Sequence, residues 1–212
     1  MTQDDLIDAL CEWLSVEHHC HTIILYGSRA RGDAEADSDY DVIAFRGGGP
    51  ARRETGRWHG AMLDVFIYPE ERLQSVDESL LHVRGGRVLR QLGVLGDAFL
   101  ERLELLYASA PPALADDEIE ARKNWAMKML DRAARGGIEG NYRRVWLLTT
   151  LLENYFLLRS RRYPGPNEAF TILRRSDPEV HALFDKALEP GAEHATLVAL
   201  VERINAAAAI SR

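Results

Sequence analysis

Residues 22–68 keep their charge out of three apolar runs except at a few positions, and this limits what the segment can fold into. Thr22-Ile23-Ile24-Leu25-Tyr26 reads as a short buried strand that Gly27 ends. A Gly27-Ser28 turn lets the backbone approach a ligand closely, with its N–H groups turned toward phosphate oxygens. Residues 38–45 read as a second strand. Asp39 and Asp41, two apart, project from one face of it, and Tyr40 and Val42 face a core on the other. Residues 61–68 read as a third buried strand whose one charge is Asp64.

Two carboxylates on one strand face repel unless a cation lies between them. Hard oxygen ligands from one or two carboxylates, completed by substrate phosphates, are the usual protein environment of Mg²⁺. With its strand beside the first pair, Asp64 completes a three-carboxylate site suited to two metals and in-line phosphoryl displacement. Each piece also has a plainer reading. An Asp-x-Asp in a chain with 28% charged residues is ordinarily a solvated face, and a single Asp on a strand can guard a sheet edge. The ordered combination favours the metal site.

Gly27-Ser28, Asp39-Tyr40-Asp41-Val42 and Asp64 together resemble the DNA polymerase β-like nucleotidyltransferase superfamily. The longer spelling, Gly27-Ser28-Arg29-Ala30-Arg31-Gly32 followed by Ser38-Asp39-Tyr40-Asp41, looks most like its minimal and aminoglycoside-type bacterial branch, which includes nucleotidyltransferase antitoxins. The resemblance implies that Gly27 and Ser28 hold the triphosphate of an NTP. It implies that Asp39 and Asp41 bind both metals, and that Asp64 binds the catalytic metal and helps activate the attacking hydroxyl.

The 212 residues are 46% hydrophobic, enough for one large domain or two small ones. The net charge of −7 argues against a nucleic-acid polymer as substrate. Cys11 and Cys20 make no disulfide framework, no leader-like segment precedes Asp4 and Asp5, and no apolar run is long enough to span a bilayer. The expectation is a cytoplasmic protein without membrane association.

Residues 4–17 form an amphipathic pattern with Leu6, Leu10, Trp13 and Leu14 on one side. Gly47-Gly48-Gly49-Pro50 marks a turn, residues 70–81 read as helix, residues 87–90 as a last short strand and 97–107 as helix. Pro111-Pro112 then breaks the pattern, and everything beyond reads as helical. Asp117-Glu118-Ile119-Glu120 fits a capping box, the helix it opens stops at Gly136-Gly137, and residues 141–162 form a long helix. Helices over 167–175, 178–188 and 192–209 follow, with Asp177-Pro178 as N-cap and first turn and the alanine run 206–209 as a helix end. The expected class is α+β: a small mixed-sheet nucleotidyltransferase domain with flanking helices over 1–111, then an α-helical bundle over 112–212. The resemblance assigns that bundle to acceptor binding, and in those enzymes often to a homodimer.

Arg31 either neutralises phosphate or braces the turn against the acids that follow. Lys128 and Arg132, one turn apart, either reach the triphosphate or lie on a solvated face. Residues 141–175 carry seven arginines against Glu153 and Glu168, which reads as an anion clamp or a solvated face. Glu153 is a candidate base for an acceptor hydroxyl, although a surface role is commoner. His18, His19 and His21 do not aim at one point as a metal site would.

The expected function is Mg²⁺-dependent transfer of a nucleoside monophosphate, AMP foremost, from an NTP to an acceptor hydroxyl with release of pyrophosphate. The acceptor is expected to be an aminoglycoside-like small molecule. The alternatives are a hydroxyl on a partner protein and a nucleotide-binding module without catalysis.

Overall fold

The computed structural model describes residues 3–35 and 37–206. The chain divides into two compact units, Met1–Ser109 and Ala110–Arg212. The first is α+β. It runs α1 (Gln3–Glu17), β1 (Cys20–Tyr26), a single helical turn α2 (Gly27–Arg31), β2 (Tyr40–Arg46), β3 (Arg52–Trp58) and β4 (Ala61–Pro69). Two 3₁₀ segments, Glu70–Leu73 and Glu78–Val83, then lead to β5 (Arg87–Arg90) and α3 (Leu95–Ala108).

The strands form one mixed sheet in the order β3-β4-β2-β1-β5. Only β2 and β4 run parallel; β1–β2, β1–β5 and β3–β4 are antiparallel. Period-two alternation divides the sheet between two cores. Ile23, Leu25, Tyr40, Val42, Ala44, Leu63, Val65 and Ile67 pack against Ile7, Leu10 and Leu14 of α1. On the opposite face Ile24, Tyr26, Ile43 and Phe45 meet Leu73, Leu80 and Val83 of the 3₁₀ segments and Phe99 and Leu103 of α3. Fully burying each such side chain is worth roughly 1.5–3 kcal/mol.

Two parts of this unit differ from the sequence reading. β3, Arg-Arg-Glu-Thr-Gly-Arg-Trp, has no apolar alternation to announce it. It exists because the His59-Gly60 pair, both left-handed at φ 49° and 96°, closes a tight hairpin onto β4, with Trp58 opposite Ala61. As the sheet's edge it can remain polar, and its arginines discourage pairing with another chain. The helix expected over 70–81 is instead the two 3₁₀ segments. Asp77 interrupts it: the backbone there is extended, and the Asp77 carboxylate accepts the Ser79 N–H at 2.9 Å, a local bond that competes with helix continuation.

The second unit is a bundle of α4 (Asp116–Ala133), α5 (Gly137–Leu157), α6 (Pro166–Ser176), α7 (Pro178–Leu188) and α8 (His194–Ala206). Its core joins Met129 and Leu130 of α4 to Leu147, Leu151 and Phe156 of α5, with Leu173, Phe184 and Leu200 from the shorter helices. Asp177 caps α7 by accepting the Val180 N–H at 3.3 Å, and it also accepts the Tyr155 hydroxyl at 3.1 Å. The capping box expected at Asp117 is absent. α4 starts at Asp116, two residues before the start that a cap at Asp117 would give, and the Asp117 carboxylate bonds the adjacent Glu118 N–H at 3.0 Å. α5 ends before residue 162 because Ser160 adopts φ 52° and the Arg161 N–H turns back to the Phe156 carbonyl at 3.0 Å. Residues 207–209 of the alanine run lie outside the described residues. No helix among the described residues is long and apolar enough to cross a membrane.

Candidate active site

The alternation that buries Tyr40 and Val42 under α1 sends Asp41 to the opposite face of β2. On β4 it does the same to Asp64, whose neighbours Leu63 and Val65 belong to the α1 core. Parallel register sets Asp41 directly beside Asp64, and antiparallel register sets Tyr26 on Asp41's other side. Two carboxylates therefore stand side by side at the end of the sheet face that α3 covers farther along.

Gly27 closes this corner from the backbone side. Its φ of +71° is left-handed, and an added Cβ would lie 2.5 Å from Asp41 Oδ2. Glycine is needed twice over, for the turn out of β1 and for the close approach to Asp41. Ser28 follows in α2, and its carbonyl accepts the N–H groups of Gly32 at 3.0 Å and Asp33 at 3.2 Å.

Asp39 lies one residue before β2, exposed, in a loop tied down by Arg29. The Arg29 Nε donates to the carbonyls of Ser38 at 3.0 Å and Asp39 at 3.2 Å. Its Nη2 donates to Ser38 at 2.5 Å, and the guanidinium lies over the Tyr40 ring at 4.1 Å. The loop is also closed on itself: the Glu35 N–H donates to Ser38 Oγ at 2.9 Å.

Electrostatics mark Asp41 as the strained member. Burial raises its pKa first, and the carboxylates of Asp39 and Asp64 raise it further; His82 and Arg31 act the other way. Tyr26 is raised far above an ordinary phenol, by burial and then by Asp41 and Asp64. His82, from the second 3₁₀ segment, meets the Tyr26 ring edge-on at 5.1 Å.

Asp64 is already engaged. Arg53 Nε donates to its Oδ1 at 2.8 Å and Arg53 Nη2 to its Oδ2 at 2.6 Å. Among the described residues no three His, Cys, Asp and Glu side chains are gathered as a metal site. The chemistry of the residues nevertheless suits a hard divalent cation. The donors are carboxylate oxygens, the Asp39 and Asp64 charges both press on Asp41, Gly27 lets the Asp41 carboxylate pack against bare backbone, and a guanidinium stands in as cation at Asp64.

Of the remaining candidates, Arg31 reaches Asp33 at 3.4 Å in an exposed pair, the bracing role, and also contributes positive charge at Asp41. Lys128 is exposed on α4 in the second unit. Glu153 is a surface residue with Arg122 at 3.8 Å; the buried polar residue beside it is Asn154, whose Oδ1 accepts from Arg122 at 3.0 Å. Arg144 is structural, donating to the carbonyls of Ala187 at 2.6 Å and Ala192 at 2.9 Å. The three histidines part ways: His18 packs on Trp13, His19 is exposed, and His21 Nε2 lies 3.2 Å from Glu70. Sequence reasoning passed over Arg29, Arg53 and His82. Arg29 had a signal, since it lies inside the glycine-bounded turn motif.

No protein-family model matches this chain, and no curated protein does. Among solved structures it is similar to a nucleotidyltransferase-like protein from Exiguobacterium sibiricum, with 11% identity and a TM-score of 0.48 over 95% of this chain and 75% of that one. At that identity the chemistry has to be read from the residues themselves.

Proposed function

We propose that the chain is a metal-dependent nucleotidyltransferase that moves a nucleoside monophosphate, AMP foremost, from an NTP to an acceptor hydroxyl. The observation that carries this is the register of Asp41 beside Asp64 on the parallel strands, with the Gly27 backbone packed against Asp41. Paired carboxylates at the mouth of a glycine turn suit a nucleoside triphosphate and its counter-ions.

Asp39, Asp41 and Asp64 would hold Mg²⁺, which when bound neutralises charge on the attacking and leaving oxygens. Gly27 and Ser28 bring backbone close to the phosphates without an intervening side chain. Arg29 fixes the loop that presents Asp39, and Arg31 adds positive charge at the anionic end. In the reaction the acceptor oxygen forms a bond to the α-phosphorus as the bond to the bridging oxygen of the β-phosphate breaks. Pyrophosphate leaves, and the hydroxyl proton passes to Asp64. Little covalent work falls to the protein; positioning and charge supply the rate.

A polyhydroxylated, cationic small molecule of the aminoglycoside kind suits an acidic chain of net charge −7. The test is pyrophosphate release from each of the four NTPs with Mg²⁺, across aminoglycosides, lincosamides and crude lysate, with Asp41→Asn as control. Release that requires one small acceptor and is lost in the control supports the reading. Release only with lysate, accompanied by a labelled protein band, moves the acceptor to a protein hydroxyl. Neither release nor NTP binding ends it.

A further inference from the structure

Arg53 sits where a metal-binding carboxylate would be expected to be free. It projects from the edge strand β3, opposite Phe66 of β4, and its guanidinium lies 4.8 Å from that ring. From there it reaches diagonally to Asp64, two residues earlier on the same face, and takes both carboxylate oxygens in a fork at 2.8 and 2.6 Å. Asp64 thus lies between two neighbours in the sheet: Asp41 on β2, which repels it, and Arg53 from β3, which neutralises it.

We propose that Arg53 is the resident counter-ion of the metal-free site, exchanged for the divalent cation when Asp64 becomes a ligand, so that it sets the metal concentration at which the site assembles. The inference rests on the metal-site reading given above. Its basis is competition for one carboxylate. A bidentate fork occupies the edge of the carboxylate that a chelating cation would use, and both cations cannot hold it at once in that geometry. Arg53 is exposed on an edge strand, so its release costs little beyond the contact with the Phe66 ring. A lysine in its place would offer one point charge and could not engage both oxygens in the same fork.

The experiment is calorimetric titration of Mn²⁺ alone, without nucleotide, into the full chain and its Arg53→Met, Arg53→Lys and Asp41→Asn variants, with thermal unfolding in parallel. Methionine keeps an unbranched stem over Phe66 and removes the charge. Arg53→Met should bind Mn²⁺ roughly tenfold tighter, the scale of a hydrogen bond to a charged group released from Asp64, with Arg53→Lys between it and the parent. Metal-free Arg53→Met should melt lower than the parent and gain more from Mn²⁺. If the parent binds Mn²⁺, Asp41→Asn removes that binding, and Arg53→Met binds equally or more weakly, the metal site stands and the exchange role of Arg53 is overturned. Binding by Arg53→Met where the parent shows none supports the exchange in its strongest form. No binding by the parent or either Arg53 variant, with native circular dichroism throughout, overturns the exchange, since removing the fork then frees no site for the cation.

Discussion

Gly27 and Asp41 touch across the first sheet turn so closely that an added Cβ on Gly27 would lie 2.5 Å from a carboxylate oxygen of Asp41. Gly27→Ala therefore combines a left-handed backbone cost of roughly 1–2 kcal/mol with displacement of the carboxylate. Thermal unfolding should show the loss in stability, and pyrophosphate release should drop on the order of a hundredfold, the scale of a small misplacement at a reacting centre. A variant with parental melting and turnover would remove the close approach from the mechanism.

The Asp41 carboxyl is raised, and the sign of its effect on stability follows. An acid whose folded pKa exceeds its unfolded value costs nothing while both states are protonated. The cost enters as pH rises past the unfolded value near 3.8 and is complete above the folded one. Metal-free Asp41→Asn should accordingly melt higher than the parent at neutral pH, with the gain fading as pH falls toward that value, while its turnover is lost. Denaturation followed across pH tests both directions, and a variant less stable at neutral pH contradicts the argument.

Arg29 holds the Ser38 and Asp39 carbonyls, and on the function proposed above it acts by presenting Asp39. Arg29→Ala should lower kcat about 10–100-fold, the usual cost of losing a residue that orients a ligand. KM for the NTP should move less, and Arg29→Lys should recover only part, because a single ammonium cannot bridge the two carbonyls in the same way. Equal loss in kcat and nucleotide affinity would indicate direct phosphate contact instead.

Asp177 serves two partners in the helical unit, the Val180 N–H at the start of α7 and the Tyr155 hydroxyl. Asp177→Ala should cost about 1–2 kcal/mol, within the range of a lost N-cap. Asp177→Asn should recover most of it, since its amide oxygen still accepts. Urea denaturation distinguishes the two, and an alanine variant as stable as the parent would remove Asp177 as a cap.

What could be read in advance tracks how locally each feature is determined. The apolar runs around Ile23, Val42 and Val65 specify buried strands by composition, and the face occupied by Asp41 follows from parity alone. Asp177-Pro178 announces α7 because cap and first turn are adjacent in sequence. β3 was invisible because its stability comes from the hairpin and from β4, not from its own residues. Residues 70–81 carry helix-compatible apolar spacing, but the Asp77 side-chain bond to Ser79 prevailed over it. Arg53 escaped notice because its partner is reached only across the hairpin, and no spacing rule for a single strand reports a diagonal contact. Arg29 acts on carbonyls, which are the same at every residue and leave no signature in a sequence.

The threading of β4 between β2 and β3 also orders events during folding. The β3–β4 hairpin is local, closed through His59 and Gly60, and hairpins of this kind form within about 1–10 microseconds. The parallel β2–β4 pairing is non-local and must pay loop-closure entropy first. Arg53 and Asp64 belong to the early piece; Asp41 meets Asp64 only when the strands dock. Where the local hairpin forms first, the guanidinium is in place before the two like charges are forced together, and the chain is spared bringing bare carboxylates side by side to complete its sheet.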